Sequence, residues 1–295
     1  MPSSRWALFL ILLFASFLPA QCAKDNREDK KSGILITDFT ITGTQTISAT
    51  DLARITSDLI GSCYNDDSDE IGERIRASFQ QRGYFQVEVK SVKFKPGDPL
   101  GVPKPVTVES EVSEGPQFRL GQVTFLKNRV FSAEKLRQQF PLKTNDIVER
   151  EKVASGMESL RKLYATRGYL DFIAIPETTF GSNATMNLNI TVEEGPQYHM
   201  GKLDIVAEKE PAAKLRTEWK LPEGAVYDAT YIDKYLTAAR DILPANFSKG
   251  NVQTTQNCPD ALIQVRLLVD PAQDMSHAEG KDVPCEEKKS ETSSK

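Results

Sequence analysis

The sequence predicts an α+β chain built as a tandem array of three β-α-α-β-β modules, each a three-stranded mixed sheet with two helices on one face. Three observations carry that prediction. Val112-Ser-Glu-Gly-Pro-Gln-Phe-Arg-Leu-Gly121 and Val192-Glu-Glu-Gly-Pro-Gln-Tyr-His-Met-Gly201 are near copies 80 positions apart, a period that suits a small self-folding domain rather than a solenoid unit. Within the repeat, apolar periodicity changes from helical to alternating, which reads as a helix pair followed by a hairpin. A chain of 295 residues has room for three such modules.

In the first module a strand is expected over Ile34 to Thr42, closed by Gly43. A helix follows from about Ser48, with Asp51 in its first turn and Leu52, Ile55 and Leu59 on one face. Gly61 to Ser68 reads as a turn. A second helix opens at Asp69 and Glu70, repeats Ile71, Ile75 and Phe79, and ends at Gly83. Strands over Phe85 to Phe94 and Val106 to Val112 complete the module.

The second module repeats this order with a strand at Phe118 to Leu126 and helices at Ser132 to Phe140 and Ile147 to Thr166. Val153, Met157, Leu160 and Tyr164 form an apolar stripe on the longer helix. The hairpin pairs Leu170 to Thr179 with a strand in which Met186, Leu188, Ile190 and Val192 alternate with polar residues, across a Gly181-Ser-Asn-Ala turn. The third module has a strand at Tyr198 to Ala207, helices at Ala212 to Trp219 and Thr230 to Ile242, and a hairpin of Val252 to Thr255 with Leu262 to Val269. Its Gly224-Ala-Val-Tyr227 echoes Gly61-Ser-Cys-Tyr64. The domains are thus expected at 33–114, 115–194 and 195–270, with a polar, disordered tail over 271–295.

Arg5, the apolar run Trp6 to Leu18 and the small-residue exit Pro19 to Ala23 mark residues 1–23 as a secretory signal peptide. An uncleaved anchor and lipidation of Cys22 stay open as alternatives. Export permits disulfides, and Cys258 with Cys285 is the expected pair. A net charge of −4 gives no electrostatic reason to bind nucleic acid. Cysteine and histidine spacings match no zinc pattern. Asp66, Asp67, Asp69 and Glu70 lack the glycine and final bidentate ligand of a calcium loop, so no metal or other cofactor is expected. No nucleophile elbow, His-Glu-x-x-His or phosphate-binding loop is present, so the chain is read as a non-enzyme with no small-molecule substrate.

The module order, the Glu-Gly-Pro-Gln-aromatic runs at Glu114 to Phe118 and Glu194 to Tyr198, and the Arg-Gly-Tyr junctions at Arg82 to Phe85 and Arg167 to Leu170 resemble POTRA (polypeptide-transport-associated) domains. The array is similar to the periplasmic arm of outer-membrane β-barrel assembly factors, the BamA-like family. After residue 270 too few residues remain for a membrane barrel, so the resemblance is to the arm alone. It implies an exported protein of the periplasm, or of the periplasmic face of the outer membrane. Its partners would be unfolded or extended outer-membrane proteins, or components of a barrel-assembly complex. A structural adaptor joining cell-envelope or secretion complexes through folded partners is the alternative.

With the hairpin's opening strand at the rim of each sheet, polypeptide is expected to add there by β-augmentation. The residues expected on those rims are Phe85, Val87 and Val89, then Phe172, Ile173 and Ile175, and Val252. Lys90, Lys93 and Lys95 guard the first rim and Pro176 interrupts the second. Gly115-Pro116 and Gly195-Pro196 are expected to act as inter-domain hinges. Gly83-Tyr84 and Gly168-Tyr169 are read as helix-ending fold residues.

Overall fold

A computed structural model describes residues 34–64, 68–97, 104–270 and 272. The signal segment, Cys22, Asp66, Asp67 and Cys285 therefore lie outside the described residues. The chain divides into two compact units, Met1–Phe118 with Ile147–Arg150, and Arg119–Asp146 with Glu151–Lys295.

The first unit holds β1 (Ile34–Thr42), α1 (Ala49–Leu59), β2 (Cys63–Tyr64), α2 (Ser68–Gln80), β3 (Glu88–Pro96) and β4 (Lys104–Ser113). The sheet order is β2-β1-β4-β3, with β1 parallel to β4 and β3 antiparallel to it. Ser48 caps α1 by accepting the Asp51 N–H over 3.0 Å, which satisfies one of the orphan amides of the first turn. Ile55, Leu59, Ile71, Ile75 and Phe79 are the buried faces of the two helices, packed with Ile36, Val106, Val108 and Val112 of the sheet. Each such side chain contributes about 1.5–3 kcal/mol of burial. The helical spacing of the first group and the two-residue spacing of the second are what bring them to one layer.

The second unit holds two more sheets. One has β5 (Arg119–Leu126), α3 (Ala133–Arg137), α4 (Arg150–Ala165), β6 (Ile173–Gly181) and β7 (Thr185–Glu193), in strand order β5-β7-β6. The other has β8 (His199–Val206), α5 (Lys209–Glu218), α6 (Tyr231–Ala238), β9 (Val252–Asn257) and β10 (Leu262–Leu268), in order β8-β10-β9. In each sheet the first strand pairs parallel with the last and the hairpin pairs antiparallel, as the module order predicts. Met186, Leu188, Ile190 and Val192 are all buried, so the alternation along β7 marks its core face.

The segment expected as a plain turn between the first two helices is the main departure from the sequence reading. Gly61 donates to the Ile36 carbonyl over 2.8 Å, Ile36 donates back to Ser62 over 3.1 Å, and β2 then pairs with the start of β1. Asn145 and Asp146 hold Leu120 by the same two bonds, at 2.7 and 2.9 Å, and Gly224 and Ala225 hold Met200 at 2.7 Å each. The donor residue has φ of +80°, +73° and +83° in the three cases, the left-handed conformation that glycine and asparagine tolerate. Four elements also differ from expectation. α3 stops at Arg137, ahead of Pro141, α6 breaks into turns after Ala238, and β3 and β6 begin three residues late.

Candidate polypeptide-binding edges

Among the described residues the strand order leaves β3, β6 and β9 each with one unpaired side. The opposite borders are less regular. Each first strand is held at its start by the helix connector, and its ladder with the last strand then shifts register, between Ile36 and Asp38, Leu120 and Val123, and Ile263 and Val265. A bulge there breaks the row of donors and acceptors a new strand would need.

The three free edges are not equivalent. β3 carries its own register shift between Val89 and Ser91, Lys90 lies 3.7 Å from Glu111, and Lys95 pairs closely with Glu109. Charged, bulged edges resist strand addition. β6 pairs with β7 through nine successive residues, Ile173 with Glu193 to Gly181 with Thr185, without a break. Pro176 sits in this ladder opposite Ile190. Having no N–H, it belongs in a pair that exchanges no backbone bonds, so the even-numbered residues of β6 turn their backbone groups outward. Ala174 and Thr178 then turn both N–H and C=O away from β7, and Pro176 its C=O alone. β9 is also unbroken but runs for six pairs only.

Placement of the expected rim residues follows from these boundaries. Ile173 and Ile175 lie on β6 and are exposed, and Val89 lies on β3, half-buried against the core. Val252 opens β9 and packs on the third core. Phe85, Val87 and Phe172 precede the strands. Val87 is 6% exposed within the first core, and Phe172 is 7% exposed with its ring stacked 4.1 Å from Tyr164. Seven residues separate α2 from β3 and α4 from β6, and within them Val87 and Phe172 are core, not rim, while Phe85 is half-buried ahead of the ladder.

The hinge motif and the helix-ending motif meet in one structure. After α2, Tyr84 donates to Phe79 and Gly83 to Gln80, both over 3.2 Å; after α4, Tyr169 donates to Tyr164 and Gly168 to Ala165, over 3.2 and 3.3 Å. This double closure requires the left-handed glycine at φ +89° and +81°. The same two glycines also accept from the hinge motif. The Phe118 N–H bonds to the Gly83 carbonyl and the Tyr198 N–H to the Gly168 carbonyl, each over 2.8 Å. Gln117 and Gln197 amides cap the Arg82 and Arg167 carbonyls over 2.8 and 2.9 Å. A methyl group on Gly168 would lie 2.5 Å from the Tyr198 oxygen, so close approach as well as φ selects glycine. Sequence reasoning assigned these glycines to the helix ends and missed their second partner.

Glu114 and Glu194 open the two hinge motifs and both are nearly buried. Glu194 Oε1 accepts from the Arg129 and Val130 amides, over 2.8 Å each, and from the Tyr164 hydroxyl over 3.1 Å. Glu114 Oε1 accepts from the Gln45 amide over 3.0 Å and from the Thr46 amide and hydroxyl. Burial raises both carboxyl pKa values, but the bonds they accept outweigh it and leave them below the ordinary glutamate value. Each carboxylate thus clamps the loop between the first strand and first helix of its own module. At Gly115 and Gly195, φ is +67° and +70°. In the second unit, Asp171 further accepts from the Tyr198 hydroxyl over 2.7 Å and from the Gln256 amide over 2.8 Å. Cys258 is disulfide-bonded, and its expected partner Cys285 lies outside the described residues.

Residues 118–195, the span that runs from one such junction to the next, match the POTRA family model, described as a surface antigen variable number repeat. The family match thus falls on the middle module. The POTRA3–5 portion of BamA from Haemophilus influenzae superposes with a TM-score of 0.55 at 16% identity, over 81% of this chain and 99% of that structure. That likeness is one of fold, a tandem of three POTRA domains. In sequence, the chain is 24% identical over 183 residues to the outer membrane protein assembly factor BamA of Neisseria meningitidis serogroup B, covering 56% of this chain and 23% of that protein. It is 27% identical over 137 residues to a Treponema pallidum protein whose name places it in outer membrane protein assembly, covering 46% of this chain and 16% of that one. The chain thus spans less than a quarter of the length of these relatives. Among the described residues the POTRA strands form three separate open sheets, and no helix is long and apolar enough to cross a membrane.

Proposed function

We propose that this POTRA array is a non-enzymatic, exported protein that holds extended polypeptides by strand addition during outer-membrane protein assembly or translocation. The observation that carries the reading is the β6 border, a nine-residue ladder with one side open and outward backbone groups at alternate positions. Its relatives are named for outer membrane protein assembly, and the setting that goes with this reading is the periplasm or the periplasmic face of the outer membrane. The clients are outer-membrane proteins in extended form or components of the assembly machinery. Each backbone bond contributes only about 1 kcal/mol net, so one edge binds weakly and several modules in one chain gain by linkage. Transient holding without trapping is what such edges do best. Gly115-Pro116 and Gly195-Pro196 set the angles at which successive modules are presented.

The test is a photo-activatable residue at Ile173 or Ile175 in the full chain, irradiated in intact envelopes. The reading expects adducts with many unfolded barrel precursors, absent when the residue is placed at Val87. Adducts restricted to one or two folded proteins would overturn it in favour of an adaptor.

A further inference from the structure

The three sheets differ in the face turned away from the helices. On the first sheet that face carries Thr40 and Thr42 of β1, Glu109 and Glu111 of β4, and Lys93 and Lys95 of β3, as the register dictates. On the third it carries Asp204 and Arg266, ion-paired at 2.9 Å, beside Gln253, Gln264 and Thr255. Both are polar. On the middle sheet, Leu126, Thr191 and Ile175 stand in one row across β5, β7 and β6, with Ile173 next along β6. Leu126 and Ile173 are 46% exposed and Ile175 is 41% exposed. Large apolar side chains grouped on an exposed face mark a contact surface.

That patch adjoins the open β6 border, and acids flank it. Glu193 lies across from Ile173, and Glu177 is the next β6 residue on the same face after Ile175. Building on the strand-addition reading above, we propose that β6 is the border the partner uses. The partner is an extended strand with apolar side chains at positions i and i+2 over Ile173 and Ile175, and a Lys or Arg at the following same-face position beside Glu177. A strand fits because the border presents unpaired backbone groups, which neither a helix nor a lipid surface satisfies. Charge favours a basic partner over a second copy of this chain, because Ile173–Gly181 contains Glu177 and no cation to neutralise it.

The experiment measures binding of two nine-residue fluorescent peptides to the full chain, alike except for Lys or Glu at i+4 from the first apolar residue. The wild type should prefer the Lys peptide, and Glu177→Gln should remove that preference. The doubly substituted Ile173→Thr, Ile175→Thr chain keeps β-branched residues at exposed sites and should fold, as circular dichroism checks, yet bind about tenfold more weakly. Thr178→Pro, which removes an outward N–H, should weaken both peptides alike. Undiminished binding by the Ile173/Ile175 variant, together with loss in Thr178→Pro, would overturn the patch and leave the edge reading standing. Wild-type binding too weak to detect, or binding indifferent to Thr178→Pro, would instead overturn the edge reading. Concentration-dependent dimerisation abolished by the Ile173/Ile175 variant would make a second copy the occupant and also overturn the proposal.

Discussion

The Tyr198 hydroxyl donates to Asp171 Oδ2 over 2.7 Å, tying the start of the third POTRA module to the turn that leads into β6 of the second. At the repeat-equivalent positions of the earlier junction the chain has Phe118 and Gln86, which offer neither hydroxyl nor carboxylate. The Asp171 clamp, with Gln256 as its third member, is therefore particular to the later junction.

Removing either partner should be felt by the whole second unit. Tyr198→Phe and Asp171→Ala are each expected to cost about 1–2 kcal/mol in urea denaturation. Their double-mutant cycle should give a coupling energy of about 1 kcal/mol. Simple additivity of the two changes would mean that the bond contributes nothing.

Gly168 and Gly224 separate two reasons for a left-handed glycine. At Gly224, φ is +83° and a methyl group would meet nothing within 4 Å, so Gly224→Ala should cost only the conformational term of about 1–2 kcal/mol. At Gly168 the same methyl would overlap the Tyr198 oxygen at 2.5 Å. Gly168→Ala should cost about 3 kcal/mol or more in the same denaturation series. Equal losses at the two sites would contradict the close approach of Gly168 to Tyr198.

Gly156 reverses the usual expectation for a helix interior. Replacing glycine by alanine normally stabilises a helix by about 1 kcal/mol. Here the added methyl would lie 2.4 Å from the Phe140 ring, so Gly156→Ala should destabilise by about 1–3 kcal/mol. Phe140→Leu in the Gly156→Ala background should recover part of that loss, as thermal unfolding of the pair would show.

Glu194 makes stability pH-dependent with a definite sign. Its folded-state pKa is lowered, so its contribution is fully present above the unfolded glutamate value of about 4.3 and is lost as pH falls through the folded value. Glu194→Gln should be about 2 kcal/mol less stable at pH 7, with the gap closing as the pH drops below about 4. A gap that stayed constant into acid would show that the charge is irrelevant.

Much of the fold was legible because the repeat made it so. Ile71, Ile75 and Phe79, or Met186 through Val192, declare their element by spacing alone, and Ile34 and Thr42 bound β1 as the residue types suggest. What stayed hidden depends on contacts distant in sequence. Phe85, Val87 and Val89 alternate like one strand, yet the turn after Tyr84 places Val87 in the core before the ladder begins. Gly61, Asn145 and Gly224 share a conformation but not a residue type, so their common pairing with the first strand is invisible as a motif. Gly156 reads as a flaw in a helix until Phe140 is seen against it.

Glu194 closes a loop formed some 65 residues earlier, and a few residues later Tyr198 fills the carbonyl left open by Gly168. Each of the first two modules is thus completed by the junction that leads into its successor. A chain emerging from its N-terminus would acquire these closures strictly in order, so maturation of the array runs in one direction, and cutting it at Val192 would leave the upstream module unfinished.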